Sequence, residues 1–210
     1  MSHPPSCPRC GAGLRSPSAY SSAWRCPTHG AVAPVHVLPT ATAEAVEHLR
    51  ALSEVPCWIP SPMPPDWTVT GLAYAGDERS RGRAAVLACA GPAPLGGVAD
   101  MLLVAEEPGV GLGAGYAGLD EPDPGPAVGG SRATSMKAGG HPTALWVVPS
   151  DDDRCVAVGE AAGLWLWAIL WPAAAGYVLA EDLELHDLRE SVPPDLVVGA
   201  PSPYLMRRGR

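Results

Sequence analysis

The sequence contains no phenylalanine, asparagine or glutamine, and lysine occurs once, at Lys137. The codons for phenylalanine, asparagine and lysine are poor in G and C, whereas those for alanine, glycine, proline and arginine are rich in them. Glycine and proline contribute 24 and 25 of the 210 residues. We therefore expect much of the alanine and proline excess to reflect the nucleotide composition of a GC-rich genome rather than a mechanism.

Acidic residues are absent from the start of the chain, where the first is Glu44. Residues 1–36 contain Arg9, Arg15 and Arg25, which give this segment a charge of +3. The whole chain carries −8, so the remainder carries −11. A basic segment allows contact with nucleic acid, but three charges are few and an acidic remainder opposes that contact.

The sequence also lacks an apolar run before its first cysteine, Cys7, which a secretory signal peptide would require. Cys57, Cys89 and Cys155 stand far apart from one another, so no paired disulfide framework is visible. Small secreted proteins commonly depend on such a framework. Both absences favour a cytoplasmic protein with reduced thiols.

Residues 161–180 contain no charged side chain, and a membrane-spanning helix needs about 20 such residues. Pro172 interrupts the middle of this segment, and Gly163 and Gly176 weaken a helix further. The flanks are acidic, with no positive cluster to orient insertion. We therefore predict two β-strands, divided around residues 172–176, and no membrane insertion.

The same short turn occurs twice near the N-terminus. Residues 7–11 read Cys-Pro-Arg-Cys-Gly, and residues 26–30 read Cys-Pro-Thr-His-Gly. Two ligands separated by two residues can reach one metal ion, and two such turns on a hairpin supply the four ligands of tetrahedral Zn²⁺. Proline after the first ligand fixes φ, and glycine after the second allows a positive φ. The pattern predicts a structural zinc site formed by Cys7, Cys10, Cys26 and His29.

The alternative is that these side chains are ordinary thiols beside a surface histidine. The repeated proline and glycine favour a metal turn, and a segment of fewer than about 40 residues usually needs a metal or disulfides to fold. His3 and His36 are alternative nitrogen ligands, but neither lies in a turn of the required shape. We therefore favour His29 as the fourth ligand.

Beyond the metal turns, the pattern predicts an α+β protein with a mainly antiparallel sheet. Apolar residues make up 47% of the chain, which allows a hydrophobic core. Residues 42–53 have a capping threonine and an apolar stripe typical of a helix. Residues 163–171 are apolar on both faces, so this strand should be central. The other predicted segments are an extended proline-rich arm at 56–65, strands at 67–75, 83–89, 100–106, 143–148, 155–158 and 176–179, a flexible region at 107–142, and a closing helix at 181–190.

These elements divide the chain into four parts. We expect a zinc-ribbon module at residues 1–36, followed by a helix and proline-rich linker arm at residues 37–66. The antiparallel-sheet α+β domain then occupies residues 67–192. A loosely ordered tail covers residues 193–210.

A glycine-rich motif follows one predicted strand. Residues 113–118 match G-x-G-x-x-G, but the prolines that follow exclude the helix that a dinucleotide site requires. We predict a mobile glycine-rich loop here. A loop of this kind at residues 109–118 would also be able to cover a ligand pocket.

Other titratable residues give weaker signals. Glu106 and Glu107 at a strand end are the strongest carboxylate candidates for catalysis, although a charged strand terminus explains them better. Residues 151–153 are three aspartates without the surrounding pattern of a calcium loop, so a solvated turn is the simpler interpretation. His141 and His186 have no partner at a fixed spacing, and His186 fits the surface of a helix.

Several of these segments resemble an uncharacterised actinobacterial family, a domain of unknown function with an N-terminal zinc-ribbon-like module. The resemblance covers nearly the whole chain and implies an actinobacterial source and a cytoplasmic setting. It implies no particular reaction. The segments that carry it are residues 7–11, 24–30, 75–80, 91–97, 104–115 and 163–172.

No serine or cysteine lies in a recognisable nucleophile motif. We therefore expect a non-catalytic cytoplasmic adaptor or regulatory protein whose zinc ribbon binds another protein. One alternative is an enzyme or small-ligand-binding domain with its site under residues 109–118. A second alternative is weak nucleic-acid binding through Arg9, Arg15 and Arg25.

Overall fold

The computed structural model of the chain describes residues 4–19, 21–129, 132–194 and 196–208. Within these ranges the chain consists mainly of β-strands. The α-helices are α1 Ala43–Leu52 and α2 Leu112–Ala117, and 3-10 helices occur at Gly125–Ala127 and Ala173–Ala180. The strands are β1 Arg25–Cys26, β2 Gly30–Ala31, β3 Val35–Leu38, β4 Trp58–Pro60, β5 Thr68–Asp77, β6 Arg81–Pro92, β7 Val98–Glu106, β8 Thr134–Ala138, β9 His141–Val148, β10 Cys155–Ala161, β11 Leu164–Trp171 and β12 Glu184–Asp187.

β1 and β2 form a separate hairpin, and the other strands pair in the order β3-β5-β6-β7-β11-β10-β9-β8-β12-β4. The pairs along this order are antiparallel apart from β8 with β12. Residues 146–148 of β9 pair with β10, whereas residues 141–145 pair with β8. The strands that follow β9 in this order fold back across the sheet, so that β4 contacts β6 and β7. The predicted α+β class with a mainly antiparallel sheet is confirmed.

β11 is central, as its two apolar faces predict, because it lies between β7 and β10. Leu166 and Leu170 on one face belong to a core shared with α1 and β4. Trp167 and Ile169 on the other face belong to a second core, which α2 covers. Each such side chain stabilises the fold by about 1.5–3 kcal/mol when fully buried. The protein therefore has two cores on opposite faces of one sheet.

The predicted helix and extended arm are also present. Thr42 accepts a hydrogen bond from the N–H of Ala45 at 3.2 Å, and Val46 and Leu49 of α1 are buried. The arm contributes the short strand β4, which pairs with β12 at one end of the strand order. An end position suits a segment rich in proline, because proline has no N–H to donate to a neighbouring strand.

The helix predicted at residues 181–190 is wrong, because this segment forms β12. Leu185 points into the core, whereas the neighbouring Glu184 is half-buried and His186 is exposed. This alternation has the period of a strand, and β4 and β8 provide pairing partners on its two sides. His186 is at the surface, as predicted, but it lies in a strand and not in a helix.

The strand predicted at residues 176–179 is wrong as well, because residues Ala173–Ala180 form 3-10 turns. The turns begin where the N–H of Ala175 donates to the carbonyl of Pro172 at 2.8 Å. Ala175, Val178 and Leu179 are buried against the sheet. Within the described residues, no helix combines the length and the apolarity that a membrane crossing requires.

Two segments predicted to be flexible contain regular structure or buried side chains among their described residues. Residues 107–142 contain α2 and β8, and every residue of α2 is buried. The segment that begins at residue 193 includes Leu205 and Arg208, which are only 1% and 9% exposed. The apolar runs in both segments are short and are interrupted by glycine and proline. They therefore show no helix or strand periodicity from which these structures could be predicted.

The N-terminal module is continuous with the main sheet. β3 crosses the predicted boundary at residue 36 and pairs with β5. Ser6 forms an isolated bridge with Val35 of β3. The separate folding of residues 1–36 as a domain stays a prediction.

Candidate metal centre

Three sulfur atoms and one imidazole nitrogen come together in the N-terminal module. The ligand atoms of Cys7, Cys10, Cys26 and His29 all lie within 4.8 Å of one another. Nδ1 of His29 is 3.5 Å from Sγ of Cys7 and 3.6 Å from Sγ of Cys26. The sulfurs of Cys10 and Cys26 are 3.7 Å apart. The four side chains therefore could bind a metal ion, and they are the four residues that the repeated turn indicates.

Each half of the centre is a tight turn that ends in a glycine. Gly11 donates its N–H to the carbonyl of Cys7 at 2.9 Å and has a φ of +70°. Gly30 also has a φ of +70° and pairs with Cys26 in the β1–β2 hairpin. A residue with a Cβ is strained in this left-handed conformation, so the glycines allow each turn to fold back towards its own cysteine.

The two buried thiols of the centre differ in how readily they ionise. Burial raises the pKa of Cys7 to about 12. Burial also opposes ionisation of Cys26, but hydrogen bonds from the backbone N–H groups of His29 and Thr28 and from the His29 ring prevail and lower its pKa to about 6. Of these two thiols, Cys26 is therefore the one that ionises more readily.

α2 packs between the first metal turn and the sheet. A Cβ on Gly115 would clash with the backbone of Pro8 and Arg9, and a Cβ on Gly113 would clash with the ring of Trp167. The glycines of the G-x-G-x-x-G motif thus serve close packing on both sides of a buried helix. The predicted mobile loop is wrong, and the motif is not followed by a phosphate-binding helix.

Arg9, which lies in the first metal turn, also links this turn to the loop before α2. Its Nη2 donates to the carbonyl oxygen of Gly109 at 3.0 Å. The N–H of Gly109 in turn donates to Asp123 Oδ1 at 2.8 Å, and the indole N–H of Trp165 donates to the same oxygen at 2.9 Å. Arg9 therefore belongs to an internal network that joins the module to the loop before α2.

Glu106 caps the N-terminus of α2 from the end of β7. Its carboxylate oxygens accept the N–H of Leu112 at 2.6 Å and that of Gly113 at 3.1 Å. The side chain is fully buried, and this burial raises its pKa from 4.5 to about 8 although the two N–H groups lower it. Glu106 thus satisfies helix donors that would otherwise lack partners. It has a structural task in the fold.

Arg154 holds the opposite end of α2. Its Nη1 donates to the carbonyl oxygen of Tyr116 at 2.8 Å. Asp153 and Asp151 lie 2.6 Å and 3.2 Å from the same guanidinium group. A positive charge at the C-terminal end of a helix is favourable. Two aspartates of the 151–153 run therefore orient an arginine and do not form a cation site.

The other residues considered from the sequence are not brought to the centre. Glu107 pairs with Arg83 at 2.7 Å on the surface, and His141 is exposed. His36 stacks on Tyr74 with ring centroids 4.9 Å apart, and burial lowers its pKa. His3 lies outside the described residues.

Sequence reasoning missed the residues that join the module to the end of the chain. Arg208 donates from Nη2 to Ser6 Oγ and from Nη1 to Tyr116 Oη, the latter at 3.1 Å. The Tyr116 hydroxyl donates to the carbonyl of Leu205 at 2.8 Å. Ser6 and Arg208 are 202 positions apart, and no local pattern indicates a contact at that separation.

A family model described as a family of unknown function, DUF6758, matches residues 1–205. The chain belongs to that family. No curated protein and no solved structure matches the chain. Membership therefore extends over the two cysteine turns, α2 and all of the sheet strands described above, and it brings no assigned activity with it.

Gly115→Ala tests the packing of α2 against the metal turn. The added Cβ would overlap the Pro8 carbonyl, so we expect the free energy of unfolding to fall by about 1–3 kcal/mol in urea denaturation. Gly13→Ala is the matched control, because a Cβ at Gly13 has no heavy atom within 4 Å. Equal losses in the two variants would contradict the proposed packing.

Glu106→Gln tests the buried carboxyl group. The pKa of Glu106 is about 8 in the folded state, against 4.5 for an ordinary glutamate in the unfolded state. At a pH between these two values the native protein therefore retains a proton that the unfolded protein has released. The stability of the wild type should therefore fall relative to the variant as the pH rises from about 5 to about 8. Urea denaturation across this range measures the difference, and a difference that is independent of pH would be the contrary result.

Proposed function

We propose that the chain is a non-catalytic adaptor or regulatory protein that binds one structural Zn²⁺ ion through Cys7, Cys10, Cys26 and His29. The observation that carries the proposal is that three cysteine sulfurs and one histidine nitrogen lie close together. They belong to two turns, the first of which packs against α2. Zinc supplies no reaction chemistry here. It would hold the N-terminal module against α2.

Zinc fits the spacing of the donors. A tetrahedral ion with Zn–S bonds of about 2.3 Å and Zn–N bonds of about 2.0–2.1 Å separates two sulfurs by about 3.8 Å and a sulfur from a nitrogen by about 3.5–3.6 Å. The corresponding distances are 3.7 Å for Cys10 to Cys26, and 3.5 and 3.6 Å from the His29 nitrogen to Cys7 and Cys26. Thiolate ligands in tetrahedral geometry also favour zinc over magnesium or calcium.

A structural role is favoured over a catalytic one. The four protein ligands fill a tetrahedral shell, which leaves no position for water or substrate. Cys7 and Cys26 are 0% and 3% exposed, so a substrate would not reach their side of the ion. The ion would therefore act on stability and shape.

Two further observations support a non-catalytic protein. Glu106, the strongest carboxylate candidate, has both oxygens engaged by backbone N–H groups. The space beneath residues 109–118 is occupied by Arg9 on one side and Trp167 on the other. Both observations argue against an enzyme or small-ligand site under this segment.

A groove beside the module provides a surface for a partner. The groove measures about 380 Å³ and lies between the β1–β2 hairpin and the turn between β5 and β6. Trp24 and Val32 form part of its apolar wall, and Arg79 is exposed beside them. These side chains suit a protein segment with an acidic residue next to apolar ones, because Arg79 and Arg83 line the groove against a single aspartate, Asp77.

Nucleic-acid binding by the module is less well supported. Arg9 donates to Gly109 and packs on the loop before α2, so its guanidinium group already has a partner within the chain. Arg15 and Arg25 remain as an exposed pair across an isolated bridge. Two charges are a weak basis for phosphate binding, where affinity depends on the number of contacts.

The zinc proposal predicts one zinc ion per chain in protein purified without added metal. Cys26→Ser should remove the ion and lower the midpoint of thermal unfolding, because the ion bridges both turns. Cys155→Ser is the matched control, since Cys155 is a half-buried free cysteine outside the cluster and its loss should leave the zinc content unchanged. Elemental analysis and thermal unfolding measure both quantities. Purified protein without bound metal would refute the zinc assignment.

The adaptor proposal predicts a protein partner that depends on the groove. Zinc-loaded protein should retain one partner from an extract of its native host in stoichiometric amount, with salt-sensitive binding. Trp24→Ala and Arg79→Ala should abolish retention while the zinc content stays constant. Tyr177→Ala is the control, because Tyr177 is an aromatic residue exposed by 60% elsewhere on the surface. Retention of the same proteins by all variants would count against the proposal.

A further inference from the structure

Residues 199–208, here called the C-terminal segment, pack along the end of β5 and then reach the metal turn. The N–H groups of Gly199 and Ser202 donate to the carbonyls of Val69 and Thr70, each at 2.9 Å. Tyr204 stacks on Trp171 with ring centroids 4.2 Å apart. The segment is therefore held by backbone bonds at its start and by an aromatic contact in its middle.

The far end of the C-terminal segment is held by one arginine. Arg208 is 9% exposed, and its guanidinium group lies 5.4 Å from the ring of Tyr116. The same group donates to the hydroxyls of Tyr116 and Ser6. Ser6 directly precedes the first ligand, Cys7. The position of the metal turn therefore determines whether the Arg208 guanidinium group has the Ser6 hydroxyl as an acceptor.

Arg208 also contacts the other side of the metal turn. A Cβ on Gly11, the residue after the second ligand, would lie 3.7 Å from Cβ of Arg208. A centre of three thiolates, one neutral imidazole and Zn²⁺ carries a net charge of −1, which favours a buried cation nearby. Arg208 thus touches residues on both flanks of the Cys7–Cys10 turn.

We propose that Arg208 is a positioning residue of the metal centre, so that metal binding and the docking of the C-terminal segment are coupled. This inference rests on the proposed metal function. The metal fixes the turn, and the fixed turn places the Ser6 hydroxyl against the guanidinium group and Gly11 beside Cβ of Arg208. A buried charge that loses such partners is strongly disfavoured. Release of the metal therefore releases the end of the segment.

The coupling is reciprocal, because it is a difference in free energy between linked states. A docked C-terminal segment holds the first turn in the geometry that the metal requires. Loss of the Arg208 contacts therefore weakens metal binding, although Arg208 supplies no ligand atom. Metal binding and the docking of a segment about 200 residues away are thus coupled, and the coupling can be measured from either side.

Hydrogen exchange with and without the metal tests the first direction. The full chain is loaded with Zn²⁺, and one sample is treated with a chelator before exchange. We expect faster exchange in residues 4–38 and in residues 199–208 after chelation. Exchange in β8 and β12, which pair with each other and not with β3, β5 or β7, serves as the internal reference and should not change. Unchanged exchange in residues 199–208, or equal acceleration throughout the sheet, would overturn the coupling.

Variants of Arg208 test the reverse direction. Arg208→Ala should weaken Zn²⁺ affinity by about tenfold, within the usual range of such couplings, as measured by competition with a chromophoric chelator. Arg208→Lys should restore part of the affinity because it keeps the charge and one donor. Arg50→Ala is the control, since it removes an equal charge from α1, where Arg50 pairs with Glu47.

The two proposals fail in different ways. Native protein that contains no metal refutes the zinc assignment and the coupling together. Protein that binds Zn²⁺ with the same affinity in Arg208→Ala and Arg50→Ala refutes the coupling alone. If Arg208→Ala does not fold, as judged by circular dichroism, the exchange comparison on the wild type decides the question.

Discussion

The close contact between Gly115 of α2 and the backbone of Pro8 and Arg9 sets how near the N-terminal module lies to the sheet. It places the metal turn directly on a helix that Gly113 allows to lie equally close to Trp167. The turn thereby packs backbone to backbone on α2, and α2 packs on the ring of Trp167. Because packed interiors transmit small displacements, the geometry of the metal turn and that of the central strand are linked.

Titratable side chains complete this arrangement at both ends of α2. Glu106 accepts the donors at its start, and Arg154 donates to the carbonyl of Tyr116 at its end. A helix of six residues is too short to be stable by itself, so these groups and its buried faces determine its position. Residues that resemble catalytic candidates in the sequence thus serve to hold a small helix between two layers.

The sequence predicts the parts of the fold that have a clear local period. Thr42 and the apolar stripe after it identify α1, and the two apolar faces of β11 identify the central strand. The ligand residues follow from the repeated turn, and they lie together in space. Sequence reasoning failed where long-range pairing decides the structure: β12 has the composition of a helix but neighbours that require a strand, and Arg208 has no sequence signal that connects it to Ser6.

The separation between Ser6 and Arg208 also bears on how the protein is made. A ribosome adds about 5–20 residues per second, so the 202 positions between these two residues correspond to roughly 10–40 seconds of synthesis. The first metal turn therefore emerges long before its distant partner exists. During translation Cys7, Cys10, Cys26 and His29 are therefore all present before residue 208 is made, and the hydrogen bond between Ser6 and Arg208 forms only after these four side chains have been synthesised.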